Sequence, residues 1–260
     1  MSEVQPPHMS GWGCRSLLAS FVPEGEAGML QVHVVTAANR DLYRDQLELC
    51  FRQRHCLLQA PTAAPPLVDR ESDRYDTEET TYLLAFRDNA FVAASRLRPF
   101  SAPTMLGEMF PHLANVRGVP QSATEAEWTR MFALPGTGEV AAHRTEAAMG
   151  SAVLEYCLDA GVHRLGGIHE TYWLPRWADQ GWRPVPLGMP IAVAGTPCLA
   201  VLFDVTPQAL ANVRRVAGIE QDQIVQIGPL RDFVTGEIQP GALLDPTLSE
   251  LLTRLPKALP

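Results

Sequence analysis

The chain has 260 residues, enough for one large domain or two small ones, and 46% of them are hydrophobic, as in ordinary soluble proteins. Its formal charge is −8, from 21 basic and 29 acidic residues, which argues against a general nucleic-acid binder with a basic face. Five cysteines without metal-ligand spacing, no apolar run of membrane-spanning length and no signal-peptide pattern point to a reduced, cytoplasmic protein without membrane insertion.

Residues 1–29 are rich in Gly, Pro and Ser and read as a disordered N-terminal extension. One domain is expected over 30–218, and 219–260 reads as a C-terminal extension and looser tail. Within the domain, Gln31–Thr36 is a short strand and Asn39 the N-cap of a helix running to about Gln59. That helix carries Tyr43, Leu47, Cys50, Phe51, Arg54 and Leu58 on one stripe, so Arg54 falls on the face that should be apolar. It either snorkels outward or is held in a polar site.

After a Pro-, Ala- and Asp-rich loop at 60–77, Thr80–Phe86 and Ala90–Arg98 form a hairpin turning at Arg87-Asp88-Asn89. Met105–Leu113 is a short helix interrupted by Pro111. Glu127–Leu134 is a strand, Glu139–Ala160 a long helix closed by Gly161, and Arg164–His169 another strand. Tyr172–Gln180, Leu199–Val205 and Pro207–Val216 follow as helix, strand and helix. This order predicts an α/β (α+β) three-layer sandwich with a mixed sheet flanked by helices.

Four charged residues sit among apolar neighbours: Arg54, Arg96, Glu127 and Arg130, with Asp73 and Asp76 closing the loop before the hairpin. Buried charges need partners, so these residues form either a structural ion-pair network or a polar pocket for a zwitterionic ligand. Residues 127 and 130 face opposite sides of a regular strand, so a shared site requires a β-bulge. Phosphate-binding glycine loops and the H-E-x-x-H metal motif are not found in the sequence. His143 and His169 read as structural or solvent-facing.

In this order, Phe51-Arg-Gln-Arg54, Asp73-Arg-Tyr-Asp76, Ser95-Arg96-Leu-Arg-Pro99 with Met105-Leu and Phe110, and Glu127-Trp-Thr-Arg130-Met-Phe132 resemble the acyl-homoserine-lactone synthases (LuxI-type autoinducer synthases) over about Leu30–Val216. Val32-His-Val-Val-Thr-Ala-Ala-Asn-Arg40-Asp-Leu-Tyr43, Glu170-Thr-Tyr-Trp-Leu-Pro-Arg176 and Pro186-Leu-Gly-Met-Pro190 resemble the branch that uses branched-chain or aryl acyl-coenzyme A. The resemblance implies an acetyltransferase-like sandwich and an acyltransferase for quorum-sensing signal synthesis. S-adenosyl-L-methionine is the implied co-substrate, with no prosthetic group or metal.

On this resemblance Glu127 is the base, working through a water. Arg54, Asp73, Asp76, Arg96, Phe110 and Arg130 order and contact S-adenosylmethionine. Pro135-Gly136-Thr137-Gly138 is a plain turn or a backbone N–H cradle for the coenzyme A pyrophosphate. An acyl pocket is expected between sheet and long helix, lined by Trp128, Met131, Met149, Val153 and Trp173, residues that equally suit a core. A basic patch at Arg40, Arg44 and Arg52 would suit an acidic acyl carrier protein instead of coenzyme A, or is a solvated helix face. A monomer or weak dimer is expected.

The family pattern has an aromatic residue four positions after its first arginine and a tryptophan in the next loop. This chain has Leu58 and no tryptophan in 59–72. Two other functions fit those departures: a coenzyme-A-dependent N-acyltransferase on another amine, or a non-catalytic ligand-binding relative.

Overall fold

The computed structural model describes residues 29–58, 70–134, 139–241 and 252–256. The first strand, β1 (Gln31–Val35), leads through a 3-10 turn at Arg40–Tyr43 into α1 (Arg44–Leu58). Asn39 stands at the start of this turn but does not cap it. Its Oδ1 accepts from the Thr36 N–H at 2.8 Å, and its Nδ2 donates to Val34 and Ile227 carbonyls at 2.9 Å each. The side chain is thus consumed in tying β1 to a segment near the C-terminus.

The hairpin of β2 (Thr81–Arg87) and β3 (Ala90–Pro99) forms as expected, with Asp88 and Asn89 at φ 51° and 62°. Two successive positive φ values match the twist of antiparallel strands, and Asp and Asn tolerate them better than most residues. Pro111 divides the next helical stretch into α2 (Met105–Glu108), capped by the Thr104 hydroxyl, and a 3-10 turn at Pro111–Ala114.

Next come β4 (Glu125–Ala133), α3 (Glu139–Asp159), β5 (Arg164–Glu170) and α4 (Trp173–Asp179). Two short strands follow that the sequence reading did not include, β6 (Pro184–Pro186) and β7 (Ile191–Val193). Both pair with β8 (Thr196–Asp204). Then α5 (Pro207–Ala217) opens on the Thr206 cap and closes at Gly218, φ 69°. Beyond Gly218 the chain returns to the sheet as β9 (Ile224–Val225), parallel to β1, and Phe233 and Ile227 are buried.

The strand order is β6-β8-β5-β4-β3-β2-β1-β9. The sheet is mixed, because β4–β5 and β1–β9 are parallel and the other pairs antiparallel. On one face Leu83, Ala93, Ala126 and Trp128 pack against Met149 and Val153 of α3 and Val213 of α5. On the other, Tyr82, Leu84 and Ala94 pack against Leu47 and Cys50 of α1, and Leu106 joins Ala200 and Leu202 in a smaller cluster. Helices therefore cover both faces, giving the expected three layers.

Glu155 of α3 holds the returning segment. It accepts backbone N–H groups of Gln223 (3.1 Å) and Ile224 (3.2 Å) and the Arg214 Nη2 (2.7 Å). Glu155→Ala is expected to cost about 1–3 kcal/mol, because it orphans buried donors, and to lower Tm by several degrees. An unchanged melting curve would mean that pairing with β1 alone holds β9.

Candidate active site

Arg54 is held inside, not snorkelling: its side chain is 1% exposed. Its Nη1 and Nη2 donate to the two oxygens of Asp76 at 3.0 and 3.2 Å, a bidentate fork. Its Nε lies 2.5 Å from Glu71 Oε2. Arg96, on β3, donates through Nη1 to Asp73 (2.6 Å) and Asp76 (3.0 Å), and through Nε to the Thr129 hydroxyl (3.0 Å). Arg130 Nη2 donates to Asp73 Oδ2 at 2.8 Å and pairs with Glu71 at 2.9 Å. Three arginines and three acids from α1, β3, β4 and the 71–76 loop alternate around one closed ring.

The Arg54 and Arg96 guanidinium groups help keep Asp73 and Asp76 ionised. Burial alone would push Asp76 up, but the Arg54 hydrogen bonds and the charges of Arg54 and Arg96 outweigh it and hold the carboxyl at about 2. Asp73 is lowered for the same reason, with Arg96 outweighing burial.

The strand problem at Glu127 and Arg130 is solved by a bulge. Ala94 pairs with Phe132 while Arg96 pairs with Thr129, so Arg130 and Met131 together oppose Ser95. Arg130 adopts φ 53°, a left-handed conformation that costs a non-glycine residue on the order of 1–3 kcal/mol. Its ion pairs with Glu71 and Asp73 offset that strain. The bulge inverts the alternation: Phe132 packs on the α1 side and Met131 on the α3 side.

Glu127 is fully buried beside this ring, on the same strand face as Thr129. Its Oε2 accepts from Met105 N at 3.0 Å and its Oε1 from Leu106 N at 2.6 Å, so it also holds the first turn of α2. Burial raises its pKa, opposed by the two backbone donors and by the charges of Arg96 and Arg98. Arg98, its cross-strand partner, donates to Tyr75 and Pro103 carbonyls and to Thr77 and Thr80 hydroxyls, clamping the acidic loop onto β3.

Past the Glu127–Gly166 pair, β4 and β5 no longer hydrogen-bond to each other. The strands approach closely just there, where a Cβ on Gly167 would sit 2.7 Å from the Trp128 carbonyl. A cleft of about 180 Å3 opens beyond, bordered by Thr129 and Arg130 and walled by Trp128, Met131, Trp173 and Trp177. Arg130 of the ring, and Thr129, which accepts from Arg96 of the ring, thus also line the cleft. A second cavity of about 190 Å3, beneath Arg117 and Arg164 at the other end of β5, shares no lining residue with it.

Three of the expected pocket residues, Trp128, Met131 and Trp173, line the cleft. Met149 and Val153 do not: both are fully buried in the core between sheet and α3, which reaches the cleft through Glu146. Phe110 is half-buried against the Leu106 cluster, with its ring centroid 6.2 Å from that of His112. His143 is exposed, whereas His169 lines the cleft and packs edge-on against Trp177 and Phe203. Residues 59–69, 135–138 and the Leu58 side chain, where the family departures and the glycine turn fall, lie outside the described residues.

Glu71 and Thr129 were missed by the sequence reading. Glu71 lies in a polar loop where an acid is unremarked, and only its spacing with Asp73 and Asp76 hints at a shared role. Among the described residues no helix is long and apolar enough to cross a membrane, and no cluster of His, Cys, Asp and Glu is suited to hold a metal.

Residues 68–213 match the family model described as autoinducer synthase. The chain is 37% identical over 210 residues to the isovaleryl-homoserine lactone synthase of Bradyrhizobium diazoefficiens, covering 78% of this chain and 92% of that protein. Among solved structures it is similar to BjaI, a CoA-dependent acyl-homoserine lactone synthase solved with SAM and isopentyl-CoA. That match has a TM-score of 0.69 at 35% identity, over 79% of this chain and 97% of that one. It is also similar to MesI, another CoA-dependent acyl-homoserine lactone synthase, with a TM-score of 0.66 at 33% identity, over 75% and 99% of the two chains. The fold, the motif order and these relatives agree: the chain belongs to the autoinducer synthase family.

Proposed function

We propose that this enzyme makes an N-acyl-L-homoserine lactone from S-adenosyl-L-methionine and a short branched or aryl acyl-coenzyme A. The observation that carries the reading is the junction at Thr129 and Arg130, where a charged ring meets a small cleft walled by tryptophans. A zwitterionic amino acid and an acyl group have to meet at such a place.

In this reading Glu127 accepts a proton from the ammonium, directly or through a water. The freed amine attacks the thioester carbonyl; a C–N bond forms, the C–S bond breaks and coenzyme A leaves as thiol. A carboxylate oxygen then attacks the γ-carbon, closing the lactone as the C–S bond to the sulfonium breaks and methylthioadenosine leaves. The ring acids already neutralise the three guanidinium groups, yet Arg96 Nη2 and Arg130 Nε are buried donors with no acceptor among the described residues. They are suited to the substrate carboxylate, with Asp73 and Glu71 near the positive end. Arg54 and Asp76 hold the others in place, and Phe110 contacts the co-substrate.

The cleft volume favours a short acyl group, since drug-sized ligands occupy sites of roughly 300–1,000 Å3. A carrier-protein donor would need a free basic patch. Arg44 and Arg52 are instead paired with Asp41 and Glu48, at 3.3 Å each, and Arg40 donates to the Thr77 carbonyl.

The test supplies the purified chain with S-adenosylmethionine and the same acyl group on coenzyme A or on carrier protein. The expected result is lactone with stoichiometric methylthioadenosine and a kcat/KM at least about 10-fold higher for coenzyme A. Preference for the carrier protein would overturn the donor. Acyl transfer to another amine, without methylthioadenosine release, would overturn lactone synthesis.

A further inference from the structure

The cavity of about 190 Å3 at the far end of β5 takes no part in the reaction proposed above. Its floor is apolar: Leu187 and Leu202 are buried there, with Val185 partly exposed beside them. Its charged lining residues, Arg117, Arg164 and Asp204, are all exposed and so stand at its open side. They are not equivalent. Arg164 is already paired with Glu125, its neighbour at the start of β4. Arg117 is anchored twice, its backbone N–H on the Leu187 carbonyl at 2.8 Å and its Nε on the Pro186 carbonyl at 3.0 Å. Both NH2 groups of that guanidinium are left without an acceptor among the described residues. The Asp204 carboxylate is likewise left without a donor there.

An unpaired cation and an unpaired anion therefore share one cavity with an apolar floor. A plain anion would set its charge beside Asp204, and a plain cation would set its charge beside two arginines. A zwitterion satisfies both. The guanidinium fork takes a carboxylate in two parallel hydrogen bonds, and the aspartate takes an ammonium. A space of about 150 Å3 is known to accept benzene. About 190 Å3 thus takes an apolar side chain of that size while the charged ends stay at the rim.

We infer that this cavity binds a free α-amino acid with a large apolar side chain, its carboxylate on Arg117, its ammonium on Asp204 and its side chain over Leu187 and Leu202. The site is separate from the one that does the chemistry, because the cavity and the cleft share no lining residue. It stands whether or not the chain makes a lactone.

The test is calorimetric titration of the full chain with L-phenylalanine, with 3-phenylpropionate, which lacks the ammonium, and with 2-phenylethylamine, which lacks the carboxylate. L-phenylalanine is expected to bind with a Kd of about 1 mM or tighter. Each truncated analogue is expected to bind about 10-fold or more weakly, having lost one charge-assisted contact. Arg117→Ala and Asp204→Asn are expected to weaken L-phenylalanine by a similar factor and to leave Tm unchanged, both residues being exposed. Asp204→Asn is also expected to close the gap between 3-phenylpropionate and L-phenylalanine, since it removes the carboxylate that tells them apart. If Arg117→Ala melts early, Arg117→Gln, which keeps a donor for the Pro186 carbonyl, decides in its place. Equal affinity for all three ligands would reduce the cavity to an apolar hollow and overturn the inference. So would undiminished binding of L-phenylalanine in both variants, which would move the amino acid to the charged ring, and so would an absence of saturable binding.

Discussion

Glu127→Gln is expected to lower lactone formation by on the order of 10²-fold or more while preserving the fold. Glu127 is a fully buried carboxylate beside a charged ring, and burial makes it a stronger base than an ordinary glutamate. Glutamine keeps the shape and one acceptor, but its NH2 group faces one of the two N–H donors of Met105 and Leu106. That orphaned donor costs about 1–3 kcal/mol. Relief from burying a charge offsets part of it, so Tm is expected to change little.

The pH dependence has a definite sign. As the proposed base, Glu127 would work only when ionised, so kcat/KM of the wild type is expected to fall as pH drops through the raised pKa, above the ordinary 4.5. A raised carboxyl pKa favours the neutral form in the folded protein. Its contribution to stability is therefore complete below the unfolded pKa and is lost as pH rises through the folded one. Glu127→Gln removes both slopes. A pH–rate profile beside thermal melts separates the two, and near-normal turnover of the variant at neutral pH would leave Glu127 only as the anchor of α2.

The largest effect on stability is expected at Asp76. It accepts both Arg54 N–H groups, the Arg96 Nη1, the Tyr82 hydroxyl at 2.8 Å and the Asp73 N–H at 2.8 Å. Asp76→Ala leaves two arginines, each about 1% exposed, without that acceptor. Breaking a buried pair typically costs about 3–5 kcal/mol, here a fall in Tm on the order of 10 °C. The acid limb follows from the depressed pKa: Asp76 contributes stability above its ordinary 3.8 and loses it as pH falls through about 2. Asp41→Ala, which breaks the exposed Arg44 pair, serves as the control and should leave Tm unchanged. Equal melting temperatures for the two variants would mean that the ring does not hold α1 to the sheet.

The ring also shows how a site can be half legible in a sequence. Arg54 was visible because a 3.6-residue period places it on the apolar stripe of α1, and Arg96 because it interrupts a strand of small and apolar residues. Glu71 was invisible because nothing around it is apolar, so its charge looked ordinary. The pocket residues failed in the opposite way. Met149 and Val153 lie on the buried stripe of α3 whether or not a ligand is near, and periodicity distinguishes inside from outside, not core from cleft. His169 was read as structural or solvent-facing and Glu146 escaped notice, because a single polar residue acquires meaning only from what it faces.

By itself the sequence determined the elements that depend on near neighbours. The Asp88-Asn89 turn, the Pro111 break, the Thr206 and Gly218 ends of α5 and the stripe of α1 all follow from backbone preferences acting within a few residues. Motif order carried the family and the identity of the charged ring. Only the tertiary structure decided that Arg130 turns through a bulge at φ 53° to join Thr129, that Asn39 ties β1 to Ile227 instead of capping a helix, and that residues 224–225 return to β1. Each of these requires groups far apart in the chain to meet. A buried polar group takes whichever partner the packed sheet brings within about 3 Å, and no local pattern names that partner.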